Sequence, residues 1–145
     1  MKKILMTGAA GVVGTFLRNE FRGRYHLRLS DMTAIDDCGP DEEFVEADLS
    51  NLEATQNAVA GVDGIIHLGG YSGEGEWESI LNVNIIGCYN LYEAARLNGV
   101  KRVVFASSIH AVGFYKRETT IDHTDRTRPD TRYGLSKVFG ESLGS

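Results

Sequence analysis

Short continuous apolar runs alternate along this chain with longer stretches in which apolar residues recur every three or four positions. Lys3–Thr7 is an apolar run that stops at Gly-Ala-Ala-Gly, and Val12–Phe21 then has helical spacing through Val13, Phe16, Leu17 and Phe21. Residues 26–30 predict a second strand, with Asp31 just beyond it. Residues 35–42 hold Asp, Gly and Pro and read as a loop. Residues 43–47 predict a third strand closing on Asp48-Leu49, and residues 51–60 a helix capped by Ser50 or Asn51. A fourth strand over 64–68 ends at Gly69-Gly70. The glycine-rich, acidic stretch 71–76 reads as a mobile loop, followed by a long helix over 77–98 that Gly99 terminates. Residues 102–107 predict a fifth strand, 113–129 a polar surface loop, and a last helix starts near Asp130. Apolar strands separated by helices indicate a parallel sheet covered on both faces, a doubly wound α/β architecture. The chain stops about three turns into its last helix, where such a sheet would continue, so the C-terminal end reads as incomplete.

The turn after the first strand carries the first candidate chemistry. Gly8, Gly11 and Gly14 form a GxxGxxG pattern between strand and helix. The first glycine permits a tight turn, the middle one lets backbone approach a pyrophosphate, and the last allows helix to pack closely on strand. The helix N-terminus at Val12 and Val13 offers N–H donors to the phosphates. Asp31 lies about twenty residues on, at the end of the second strand, where a carboxylate accepts hydrogen bonds from ribose hydroxyls. It would repel a 2′-phosphate, and no arginine directly follows it, which favours NAD over NADP. Asp48 and Leu49 are placed to hold the adenine edge, and Leu68, Gly69 and Gly70 to pass beneath phosphates and ribose. All of these sit at carboxyl ends of strands, where open α/β sheets bind ligands.

A second constellation lies downstream. Tyr133 and Lys137 are four residues apart, so a helix stacks phenol and ammonium on one face. Tyrosine ordinarily ionises near pH 10, and an adjacent cation favours the phenolate. Ser108, just past the fifth strand, can hydrogen-bond a substrate hydroxyl while Tyr133 takes its proton; the alternative for Ser107-Ser108 is a turn-capping pair. Lys137 can stabilise the phenolate and bond the nicotinamide ribose. Asn84, a candidate for the cofactor site, falls on the apolar stripe of the long helix with Ile80, Cys88, Leu91 and Ala95, either supporting Lys137 through backbone or water or satisfied locally in the core. His110 is within reach of a substrate, whereas His67, inside an apolar strand, reads as a packed core residue. No His/Cys/Asp cluster has zinc spacing, and no GxSxG elbow surrounds Ser108.

Composition narrows the classes. A chain of 145 residues is long enough for one nucleotide-binding domain, residues 1–145, and short for a further substrate domain. A net charge of −5 argues against non-specific nucleic-acid binding. No apolar run approaches the ~20 residues of a membrane span, and Lys2-Lys3 lead into a strand rather than a signal peptide, so a cytoplasmic protein is expected. Cys38 and Cys88 have no pairing pattern and read as reduced thiols.

Taken together, Thr7–Gly14, Asp31, Ser108 and the Tyr133/Lys137 pair resemble the extended short-chain dehydrogenase/reductase superfamily, which implies a Rossmann-type sheet and bound NAD. The stretches HLGG, NIIGCYNLYEAAR, VFASSIHAVGFY and YGLSKVFGE look like those of bacterial uronate dehydrogenases within it. That resemblance implies oxidation of a hexuronic acid (galacturonate or glucuronate) at its anomeric carbon to an aldarolactone. It also implies substrate contacts from Ser72, Ser108 and His110, with Tyr133 as base. Two departures stand out. Ile109 replaces the asparagine expected between Ser108 and His110, removing a hydrogen-bonding partner for the sugar. The C-terminal substrate segment, with its carboxylate-binding arginine, does not occur in these residues. The rival readings are a nucleotide-sugar epimerase or dehydratase that retains its NAD, and a catalytically silent NAD-binding module. The superfamily's use of the long helix and the YxxxK helix as dimer faces implies a possible homo-oligomer.

Overall fold

The computed structural model describes all 145 residues. Five parallel strands form one sheet in the order β3-β2-β1-β4-β5. They are β1 (Lys3–Thr7), β2 (His26–Asp31), β3 (Glu42–Glu46), β4 (Gly64–His67) and β5 (Val103–Phe105). The register runs Ile4 beside Leu27 and Gly64, and Ile65 beside Val103. This is the doubly wound Rossmann arrangement, and strand order reverses between β1 and β4, where a crevice opens at the carboxyl edge.

Alternation along the central strands sends side chains to two cores. Leu5 and Ile65 pack with Leu49, Val59 and Leu91, beneath helices α2 (Leu52–Val59) and α4 (Gly87–Leu97). Met6, Leu27 and Leu29 pack with Leu17, Phe21 and Phe44 beneath α1 (Val12–Phe21). Central strands buried on both faces need apolar residues at consecutive positions, which is why β1 reads as a run rather than an alternation.

The bounds of β1 and α1 agree with the hydrophobic pattern, but the inward face of α1 does not. Val13 and Phe16 are more than half exposed, while Gly14 and Arg18 are buried. Arg18 turns inward because four acceptor oxygens meet it. Its guanidinium donates to both Glu42 carboxylate oxygens, at 2.9 and 2.7 Å, and to the Asp37 side chain and carbonyl, each at 2.8 Å. Arg18 holds the Glu42 carboxyl down to about 2. This ion cluster ties α1 to the loop before β3.

The expected long helix over 77–98 is a single rod with an internal change of winding. A short α3 (Trp77–Ser79) leads into a π-helical segment, Ile80–Ile86, and then α4. The winding widens there, with the Gly87 N–H donating to the Asn82 carbonyl, and both Asn84 and Gly87 are buried. Gly87 packs closely on Leu49: a Cβ there would lie 3.1 Å from the Leu49 Cβ. β5 is shorter than the expected 102–107, and a 3-10 turn, Ile109–Val112, follows it. The last helix, α5 (Arg132–Gly144), starts two residues past Asp130 and is capped by Thr131, whose hydroxyl accepts the Gly134 N–H at 2.8 Å. No helix is long and apolar enough to cross a membrane. Cys38 and Cys88 are free thiols, half-buried and buried.

Candidate active site

The crevice between β1 and β4 is a cleft of about 880 Å³. Thr7-Gly8 and Gly11–Gly14 form one wall, with Asp31 and Ala47–Leu49 beyond them. Leu68–Gly70, Ser72, Ala106-Ser107, Tyr133 and Lys137 form the other. The topology therefore brings the glycine-rich turn and the Tyr-Lys pair, more than a hundred residues apart in sequence, to one cavity.

The glycine turn is built by contact with its neighbours. Gly8 has φ of +68°, in the left-handed region, and a Cβ on it would sit 2.7 Å from the Gly69 backbone nitrogen. A Cβ on Gly14 would collide with the Gly8 carbonyl and lie 2.7 Å from Ala9 Cα. These two positions hold the helix against the strand and one loop against the other. Gly11 is the N-cap of α1 with no side-chain cap, so the first N–H groups of that helix open toward the cleft. A cradle lined by backbone, with no side chain to fill it, fits a dinucleotide pyrophosphate.

Asp31 is anchored at both oxygens. Its Oδ2 accepts the Ala10 N–H at 3.0 Å and its Oδ1 the Thr33 N–H at 3.0 Å. The carboxylate thus orients the glycine turn itself, and the second lone pairs of its oxygens stay available for hydroxyl donors. Asp48 uses Oδ1 to accept both the backbone N–H and the hydroxyl of Ser50, holding the tight turn at Leu49, whose carbonyl accepts from Asn90 at 2.8 Å.

A relay inside the sheet edge links the two loops of the cleft. The Gly69 N–H donates to Thr7 Oγ1 at 3.0 Å, and Thr7 Oγ1 lies 2.7 Å from His67 Nδ1. Thr7 is buried, and its hydroxyl pairs with the His67 imidazole at Nδ1. Burial, aided by the Lys137 cation, pushes the imidazole down to about 3. His67 is the packed interior residue its strand position implies.

On the opposite wall, Lys137 is almost fully buried and its Nζ donates to the Ala106 carbonyl at 2.9 Å. The ammonium stands 5.4 Å from the centroid of the Tyr133 ring and 5.1 Å from that of Phe105. Burial lowers the lysine from its ordinary value. Helical spacing has therefore placed cation and phenol ring together, as one face of α5 requires.

Three expected site residues stand apart from the cleft lining. Asn84 is buried and fully engaged: its Oδ1 accepts the Tyr71 N–H at 2.6 Å, and its Nδ2 donates to the Tyr71 carbonyl at 3.0 Å and the Ser136 hydroxyl at 3.1 Å. It bridges the 70–76 loop to α5 through these bonds and makes no direct bond to Lys137. Ser108 accepts the His110 N–H at 3.2 Å and caps the 3-10 turn, which is the capping role; Ser107, one residue earlier, lines the cleft and donates to Glu141. His110 stacks edge-on to Tyr133, with ring centroids 5.8 Å apart, and its Nδ1 lies 2.8 Å from Asp130 Oδ1. Glu74 and Arg132 were outside the sequence reading. The Glu74 carboxylate accepts the Tyr133 N–H at 3.2 Å, and Arg132 donates to the Gly75 carbonyl at 3.2 Å, so the loop carrying Ser72 is pinned to the start of α5. No group of three or more His, Cys, Asp or Glu side chains is arranged to hold a metal ion.

Residues 4–144 match the model of the NAD dependent epimerase/dehydratase family. The chain belongs to that family. It is 48% identical over 145 residues to a uronate dehydrogenase of Pseudomonas putida, with 99% of this chain and 54% of the relative aligned. Among solved structures it is similar to a mutant uronate dehydrogenase from Agrobacterium tumefaciens complexed with NAD, at 49% identity and a TM-score of 0.94, covering 99% of this chain and 54% of that one. It is also similar to a glucuronic acid dehydrogenase from Chromohalobacter salexigens, at 50% identity and a TM-score of 0.95, covering 98% and 54%. The chain spans about half the length of these relatives.

Proposed function

We propose that this chain is the NAD-binding, proton-accepting part of an oxidoreductase that converts a hexuronic acid at its anomeric carbon to an aldarolactone. The observation that carries the reading is the single cleft in which the backbone cradle at Gly8–Gly14 faces Tyr133 and Lys137. Its support is the likeness to uronate and glucuronic acid dehydrogenases over nearly the whole chain.

The glycine turn and the open N–H groups of α1 would hold the pyrophosphate of NAD, Asp31 the adenosine ribose, and Asp48-Leu49 the adenine edge. Leu68–Gly70 would pass along the other ribose. When bound, NAD supplies an acceptor for the hydride leaving the sugar carbon. Tyr133 takes the hydroxyl proton, with the Lys137 ammonium standing beside its ring. Because Lys137 is anchored on the Ala106 carbonyl, its charge is held in place through turnover rather than drawn into solvent. Ser72 and His110 contact the sugar. Ser108 acts on the same hydroxyl as Tyr133, or holds the 3-10 turn that presents His110.

Ile109 is 82% exposed beside this group and offers the sugar no hydrogen bond. Selectivity among uronic acids is accordingly set by the other contacts. The direct test incubates the full-length protein with NAD and, separately, galacturonate, glucuronate and neutral hexoses, following NADH absorbance. Growth of NADH with a uronate supports the reading. Absence of signal with every uronate rejects it.

A further inference from the structure

Asp130, paired with His110 beside Tyr133, has no assigned work. His110 Nδ1 and Asp130 Oδ1 are 2.8 Å apart, with the histidine side chain 44% and the aspartate 26% exposed. The chain builds this pair rather than leaving it to chance. A Cβ on Gly113 would occupy the space of the Asp130 carboxylate, and a Cβ on Gly134 would occupy that of the His110 carbonyl. The two segments are laced together by the Asp130 N–H donating to the His110 carbonyl at 3.3 Å and the Arg128 N–H to the Ala111 carbonyl at 2.9 Å. The Ser108 hydroxyl fixes the His110 backbone from the other side at 3.2 Å.

The contact with His110 keeps the Asp130 carboxyl below its usual range, so it is ionised at neutral pH. An ionised carboxylate only accepts hydrogen bonds. The hydrogen shared by the pair therefore belongs to Nδ1, and in the neutral ring Nε2 carries a lone pair and no proton.

We propose that Asp130 is a positioning residue that locks His110 in the Nδ1–H tautomer, so that Nε2 accepts a hydrogen bond from a sugar hydroxyl beside Tyr133. The inference rests on the reading that His110 faces the sugar, and it adds which part of the sugar is read. A bare Nε2 attracts a hydroxyl hydrogen and is repelled by a carboxylate, so His110 recognises a hydroxyl and the acid group of the substrate binds elsewhere.

The test uses the full-length protein labelled with ¹⁵N histidine, with the His110 ring assigned through His110→Gln. Above the pH at which the ring becomes neutral, long-range ¹H–¹⁵N spectra are expected to show Nδ1 protonated, and to lose that pattern in Asp130→Ala. A His110 ring protonated on Nε2 in the parent overturns the proposal whatever the substrate. In turnover, Asp130→Ala is expected to lower kcat/KM for a uronate about tenfold while NAD affinity by calorimetry is unchanged. If His110→Gln lowers kcat/KM but Asp130→Ala does not, the positioning role is wrong. If neither variant changes it, the assignment of His110 to the sugar fails, and the proposal fails with it.

Discussion

His67 makes the fold acid-sensitive between about pH 6.5 and pH 5, above the range in which Glu42 contributes. His67 is 2% exposed, its Nδ1 is hydrogen-bonded with the Thr7 hydroxyl, and its ring stays neutral down to about pH 3. In the unfolded chain it takes up a proton near the ordinary value of 6.5. Its pKa is depressed on folding, so the folded state is fully favoured above about 6.5 and loses stability as pH falls toward 3. Each pH unit within that window costs about 1.4 kcal/mol, so moving from pH 7 to pH 5 removes about 2 kcal/mol. Glu42, held near 2 by Arg18, starts to contribute only when pH falls to its unfolded value of 4.5, below the lower end of this comparison. Urea unfolding at pH 7 and pH 5 of the parent and of His67→Gln is the assay. The variant is expected to cost about 1–3 kcal/mol at pH 7, because Thr7 loses its fitted partner. It should then lose about 2 kcal/mol less than the parent on acidification. Equal losses in parent and variant would refute the assignment of a buried neutral ring.

Other substitutions probe the walls of the cleft. Gly14→Ala pushes a methyl into the Gly8 and Ala9 backbone and is expected to cost about 1–3 kcal/mol in urea unfolding while weakening NAD binding by calorimetry. Asn84→Ala strips partners from the Tyr71 backbone and the Ser136 hydroxyl, and should lower stability by about 1–3 kcal/mol. Arg18→Met leaves the Glu42 carboxylate, whose side chain is 2% exposed, without its main partner, for a loss of about 3–5 kcal/mol. The double change Arg18→Met with Glu42→Leu should recover most of that, and failure to recover would show that packing rather than charge was lost.

Where sequence reading worked, the determinants were local. β1 and α1 were legible because an apolar run, three spaced glycines and a helical repeat lie side by side in the first twenty residues. The Tyr133/Lys137 pair was legible because helical spacing alone stacks the side chains. The misreadings were tertiary. Nothing in the pattern of residues 77–98 marks where the winding widens to the bond between the Gly87 N–H and the Asn82 carbonyl. Apolar Val13 and Phe16 face outward because Arg18 meets acceptors from the loop before β3, which no periodicity encodes. β5 ends at Phe105 rather than at residue 107, and Ser107 lines the cleft while Ser108 caps the 3-10 turn. Asp130 escaped notice because its partner is twenty residues away. Its only trace in the sequence is the pair of glycines, Gly113 and Gly134, that make room for the His110 contact.

The central claim is that Tyr133 is the proton acceptor beside NAD held in this cleft. It is tested most directly by Tyr133→Phe in the full-length protein, with uronate-dependent NADH formation and NAD affinity measured on the same preparation. The account predicts that NADH formation disappears while NAD binds almost as tightly as in the parent. Turnover that survives loss of the phenol oxygen would contradict it.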